Sequence, residues 1–302
     1  MELNELDEYF MKPTKMSNGL LVYPINILNY NEFKSIANDT ILFTIKDLDN
    51  LQHSNYEKQK KEKLIDRKTK YVHIKEDNLY DYLINKINID LTFNDKINKL
   101  KSLNEEQKEQ LRQAYIESND TESIDILNNI NNIDTSKSFL DVILKLFVFC
   151  TKGEVNYNDG FMIYQNDNLY KINKDNFEEF REIVMLKNLL FAPPTSPNMF
   201  GMQAIERAIK ATFGENDASL ASICSVVVCN SGVTDKEIQN YSYYRLMYDF
   251  TIINRQHGNI FSFMLRSQGC DKANIDNLGD EVNLNTNPYE NLLSKHKVST
   301  KL

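Results

Sequence analysis

Three of the six prolines in this chain fall within five residues, at Ala192-Pro-Pro-Thr-Ser-Pro197. Proline fixes φ, carries no backbone N–H and pushes the residue before it toward extended backbone. No helix or inner strand runs through such a segment, so it divides the chain into two parts. We read a mixed α+β domain over 1–191, a proline-rich linker over 192–200 and a helical domain over 201–302. The expected fold class is mainly α with a small β component, with a β-hairpin in the first part and helices alone in the last. A chain of 302 residues, 41% hydrophobic and 26% charged, belongs to the globular class and can bury a large core.

Local patterns fill in these parts. Ser17-Asn18-Gly19 is a tight-turn signal, and Leu20-Leu-Val-Tyr-Pro24 after it reads as a short strand ending at a proline. Helices are predicted over 29–38, over about 77–88 from the spacing of Leu79, Leu83 and Ile87, and over 102–118. The segment 120–134, rich in Asn and Asp, suits a loose helix or a loop. Ser138 to Cys150 is apolar enough for a buried helix. Gly160 to Tyr164 and Leu169 to Ile172 flank Gln165-Asn-Asp-Asn168, whose residues tolerate left-handed backbone, and this predicts a hairpin. Asp175 is expected to cap a helix reaching about Leu190. Beyond the prolines, helices are predicted over 202–212 and 217–229, the latter stopped by Asn230-Ser-Gly232. Thr234 and Glu237 form a capping box. A long helix is predicted over 242–267, with a break expected near His257–Gly258.

Charge and composition exclude several functions. A net charge of −8 opposes general nucleic-acid binding, which needs excess Lys and Arg to displace counterions. The run Lys58 to Lys63 is a local basic patch, read as a solvated helix face. The acidic start, Met1-Glu-Leu-Asn-Glu-Leu-Asp7, lacks the basic lead and apolar run of a signal peptide. No apolar run is long enough to span a bilayer, so no membrane partner is expected and the protein is placed in the cytoplasm. Cys150, Cys224, Cys229 and Cys270 lack Cys-x-x-Cys spacing and are read as buried, reduced thiols.

Catalytic templates fail. There is no phosphate-binding glycine loop, no Gly-x-Ser-x-Gly and no His-Glu-x-x-His, and nine glycines leave few backbone cradles. His53, His73, His257 and His296 are scattered, with no metal-ligand spacing between them. No catalytic residue, metal site or cofactor is therefore assigned. The richest local cluster is aromatic, comprising Tyr241, Tyr243, Tyr244, Tyr248 and Phe250, interleaved with Arg245 and Arg255. Such a set could stack on nucleic-acid bases, but at helical spacing it is read as helix core plus an exposed, partner-facing stripe; Tyr and Arg anchor protein interfaces, so Tyr241, Tyr244, Arg245 and Tyr248 are the candidate partner-binding residues.

Three stretches carry a family resemblance, in order along the chain. The first is Tyr9-Phe-Met-Lys-Pro-Thr-Lys15 leading to Leu21-Val-Tyr-Pro24. The second is Asp159-Gly-Phe-Met-Ile-Tyr164 running into the segment from Phe177 to Pro193. The third is Tyr243-Tyr-Arg-Leu-Met-Tyr-Asp-Phe250 with Asn287-Pro-Tyr-Glu-Asn-Leu-Leu293. Together they resemble tail-gene-region proteins of bacteriophages that infect low-GC Gram-positive bacteria. The 195–215 region departs from that pattern, and no active-site residue is carried over. The resemblance implies tail morphogenesis, as an assembly chaperone or a baseplate or tail component. Its partners would be other tail or baseplate proteins or further copies of the chain, met in the host cytoplasm during assembly or kept in the virion tail. An enzyme with a dispersed acidic site, such as a hydrolase or nuclease, and a counter-defence or regulatory phage protein are the alternatives.

Overall fold

The most apolar stretch of the chain is the centre of the molecule. In the computed structural model, which describes residues 4–66, 68–214, 218–290 and 292, this stretch is the helix Phe139–Thr151. From the N-terminus the elements are α1 (Glu5–Tyr9), β1 (Thr14–Lys15), β2 (Leu21–Val22), α2 (Ile27–Thr40), α3 (Ile45–Lys61), α4 (Leu79–Lys101), α5 (Glu105–Glu117) and α6 (Thr121–Asn129). After a 3-10 turn at Ile130–Asn132 come α7 (Phe139–Thr151), β3 (Glu154–Tyr157), β4 (Phe161–Gln165), β5 (Asn168–Ile172) and α8 (Phe177–Lys187). The last four helices are α9 (Met199–Phe213), α10 (Leu220–Ser231), α11 (Asp235–Ile238) and α12 (Tyr243–Ser267). The fold is mainly α with a small β component. Of the segments named in the sequence, Met1 to Leu3, Glu215, Asp217, Asn291, Leu293 and His296 lie outside the described residues.

Local chemistry explains the boundaries. Ser138 and Asp141 form a capping box that starts α7, and Lys152 in left-handed backbone ends it. The hairpin turns on Asn166 and Asp167, both with positive φ (51° and 62°), the geometry of a two-residue primed turn. The short strand β3, which sequence patterning missed, pairs antiparallel with β4 (Tyr157 opposite Phe161) and makes a three-stranded meander. Helix α4 runs well past the predicted end, because Ile97 and Leu100 pack with Leu127 and Ile130 in a small separate core. The predicted cap at Asp175 is not used; α8 begins at Phe177 and stops at Lys187, before Leu189 in left-handed backbone.

The main core is aromatic. The Phe147 ring lies 4.6 Å from that of Phe161 and 4.7 Å from that of Phe180, joining α7, the meander and α8. Gln165 extends this core to the N-terminal hairpin. It accepts from the Leu21 N–H at 3.0 Å and donates to the Leu21 carbonyl at 2.9 Å, imitating a strand partner. Arg181 on α8 donates to the carbonyls of Ile41 and Leu42 at 2.6 and 3.2 Å, satisfying the end of α2. A second cluster joins Ile27 of α2 to Ile223 and Val227 of α10 and to Leu246 and Ile253 of α12. The proline segment lies against α3, where Thr195 Oγ1 donates to Asp47 at 2.8 Å and accepts from Asn50 at 3.0 Å.

One cysteine expectation needs correction. Cys150 is buried, but Cys229 and Cys270 are exposed, because α10 turns Ile223 and Val227 inward and Cys229 falls on its outer side.

Candidate partner-binding surface

Helix α12 is the long helix predicted from the sequence, unbroken at His257–Gly258. Ser242 caps it, accepting from the Arg245 N–H at 3.2 Å. The four candidate residues lie in and just before its first half and do not form the expected exposed stripe; Arg245 and Tyr248 are half-buried, and the other two are covered. Tyr241 and Tyr244 retain only 6% and 2% of their surface. The cover is the chain's own N-terminus. Tyr9 of α1 meets Tyr248 edge-on at 5.2 Å, and the Arg245 guanidinium lies over both Tyr9 and Tyr241, at 5.1 and 4.0 Å. Met11 Sδ accepts from the Ser242 N–H at 3.1 Å. Burial, then the Glu5 and Glu8 carboxylates, push the Tyr244 hydroxyl up to about 12. Burial also raises the Asp249 carboxyl, against the attraction of Arg245 and a hydrogen bond from Tyr9.

An ion pair fastens this cover. Glu8 and Lys187 are 1% and 0% exposed, with Nζ 2.7 Å from Oε1, and Nζ also donates to the Lys12 carbonyl at 2.8 Å. Among the described residues Glu8 Oε2 has no hydrogen-bond partner. Burial raises the Glu8 carboxyl and lowers the Lys187 ammonium, each opposed by the other's charge.

The second half of α12 has the opposite character. Leu246, Ile253 and Ile260 recur at seven-residue spacing, which keeps them on one side of a helix. Leu246 and Ile253 are buried in the second core. Ile260, Phe261, Phe263 and Met264, around the same side, are 57–61% exposed. The apolar side thus continues past the end of the body that covers it. The polar side is occupied. Arg255 donates to the Asp280 carbonyl at 2.7 Å, Asn259 exchanges two hydrogen bonds with the Asp276 backbone, and Arg266 donates to the Ala273 carbonyl at 2.9 Å. Residues 273–280 therefore run back along the polar side, and among the described residues the apolar side is left open. Removing four such side chains from water is worth roughly 4–7 kcal/mol before ordering costs. These four residues were not among the sequence candidates; the seven-residue series running on past Ile253 is the signal that finds them.

A second constellation forms away from α12. His53 and His73, read as scattered, approach to 5.9 Å, with the Tyr71 ring 4.5 Å from His53 and 4.8 Å from His73. Asp49 of α3 holds this arrangement, receiving the Tyr71 hydroxyl at 2.9 Å and the Ile74 N–H at 3.0 Å, and facing His73 Nδ1 at 2.9 Å. Burial pushes the Asp49 carboxyl up, but the hydrogen bonds from His73, Ile74 and Tyr71 together hold it below the usual carboxylate range. Among the described residues no group of three or more His, Cys, Asp or Glu side chains is arranged to hold a metal ion. No helix of the described residues is long and apolar enough to cross a membrane.

No protein-family model, characterised protein or solved structure matches this chain.

Proposed function

We propose that the protein works in bacteriophage tail morphogenesis by binding other tail or baseplate proteins, as an assembly chaperone or a structural component. It would do so in the host cytoplasm during assembly or in the virion tail. The phage assignment rests on the three stretches that begin at Tyr9, Asp159 and Tyr243; the mode of action rests on the open side of α12. Four large apolar side chains, 57–61% exposed within five residues, form a contiguous patch of the kind that soluble proteins reserve for partners. The first half of the helix is locked in the body, so the second half is presented on a rigid support, which lowers the ordering cost of binding.

The test replaces Phe261 and Phe263 together with Asp in the phage gene. The expected result is a folded protein with an unchanged circular dichroism spectrum and a large fall in the yield of tailed particles under the electron microscope. Normal numbers of intact tails from the double variant would refute the proposal.

A further inference from the structure

Between Lys58 and Lys75 the chain places seven lysines and one arginine against two carboxylates, in a molecule whose net charge is −8. Helix-end electrostatics accounts for part of this, since Lys58, Lys60 and Lys61 sit in the last turn of α3, where cations oppose the dipole. Lys63, Lys68, Lys70 and Lys75 lie beyond the helix and have no such reason. Among the described residues none of the seven lysines is ion-paired, although 43 acidic residues are present in the chain. All but Lys60 are exposed.

The fold adds what the charge run lacks by itself. The extended segment 68–75 is laid beside α3, fixed by the three Asp49 contacts and by the Tyr56 hydroxyl, which donates to the Thr69 carbonyl at 2.5 Å. This brings His53 and Tyr56 of the helix together with Tyr71 and His73 of the segment, with Tyr56 and Tyr71 5.6 Å apart. His73 keeps 71% of its side chain exposed. Lys60 lies over the Tyr56 ring at 5.4 Å. Lys68, Lys70 and Lys75 flank Tyr71 and His73 along the segment, whereas Lys58 and Lys61 turn toward α9, Lys61 lying over the Phe200 ring at 5.1 Å. Planar rings beside Lys60 and these three cations suit a ligand that offers both π-faces and repeated negative charge. We infer that this basic, ring-bearing surface binds single-stranded nucleic acid, its lysines tracking the phosphates and its rings taking unstacked bases. The acidic remainder of the chain does not cancel the patch, because salt screens exposed charges beyond about 8 Å at physiological ionic strength.

The probe is a fluorescein-labelled 12-nucleotide oligothymidylate, titrated with the full-length protein by fluorescence anisotropy. With about four phosphates neutralised, raising salt from about 50 to about 200 mM should weaken binding about 50-fold. The triple variant Lys68→Glu, Lys70→Glu, Lys75→Glu should lose binding more than about tenfold, and His73→Ala, which leaves the Tyr71 and Ile74 contacts to Asp49 in place, about tenfold. The variant Lys96→Glu, Lys99→Glu, with exposed lysines on α4, should bind as the parent does. The inference is overturned if the strand does not bind at the lower salt or if the triple variant binds equally well. It is also overturned if a duplex of the same length or a polyglutamate chain binds more tightly than the single strand, since either would make charge alone, or an acidic protein, the ligand.

Discussion

Replacing Lys187 with Met removes the cation beneath α1 while keeping most of the side chain's volume. Its partner Glu8 is 1% exposed, so its carboxylate would be left buried without a counter-charge. Breaking a buried pair from one side costs about 3–5 kcal/mol, because the remaining charge stays desolvated. Both partners resist burial individually, Glu8 drawn toward its neutral form and Lys187 toward loss of its proton, so the pair holds only as a pair. Replacing Glu8 with Met as well should return stability to within about 1 kcal/mol of the parent, since a packed apolar pair needs no counter-charge. Urea unfolding followed by circular dichroism measures all four corners of the cycle. Trypsin cleavage at Lys12 serves as a local probe, expected to quicken in the single variant and recover in the double. A Lys187→Met protein within about 0.5 kcal/mol of the parent would refute the reasoning, as would a double variant no better than the single.

Other substitutions test other parts of the fold. A Cβ at Gly153 would lie 2.6 Å from the Tyr164 carbonyl oxygen and 3.1 Å from Ile163, so Gly153→Ala should shift the meander and cost about 1–3 kcal/mol in urea unfolding. Gly258 lies inside α12 with nothing within 4 Å of its Cβ position, so Gly258→Ala should stabilise the protein by up to about 1 kcal/mol, and a loss would contradict the helical assignment there. The Asp49 carboxyl is held below its ordinary value, so its contribution is present above the unfolded carboxylate pKa and is lost as pH falls through the lower folded value. The Asp49 side-chain carboxyl carbon resonance, which reports its own protonation, should therefore make its main transition below the ordinary carboxylate range; a main transition centred above about pH 5 would be inconsistent with that network.

Much of the fold was legible where one residue decides a local geometry. Asn166 and Asp167 supply the left-handed turn of the hairpin, Gly232 ends α10 with a φ of 71°, and Thr234 with Glu237 starts α11. Helix α3 was hard to read, because only Ser54 along it is buried and its apolar series, Ile45, Leu48 and Leu51, covers only the first two turns; its Thr44–Asp47 capping box carries the start. The surface was harder still. Nothing local marks Lys187 as a buried cation, since its partner lies 179 residues away. The cover over Tyr241 and Tyr244 likewise depends on Tyr9 and Met11, more than 200 residues earlier in the chain. Seven-residue spacing along α12 was readable, but only the tertiary structure shows that the body ends after Ile253 and leaves Ile260 and its neighbours open.

That open side is best tested by placing a photo-crosslinking phenylalanine analogue at Phe261 during phage infection and identifying what it captures. A control analogue at Leu28, which is 72% exposed on α2, reports chance encounters. The expected result is a discrete adduct with a tail or baseplate protein from position 261 and none from position 28. No adduct at position 261, or the same diffuse set from both positions, would contradict the claim that α12 is the partner surface.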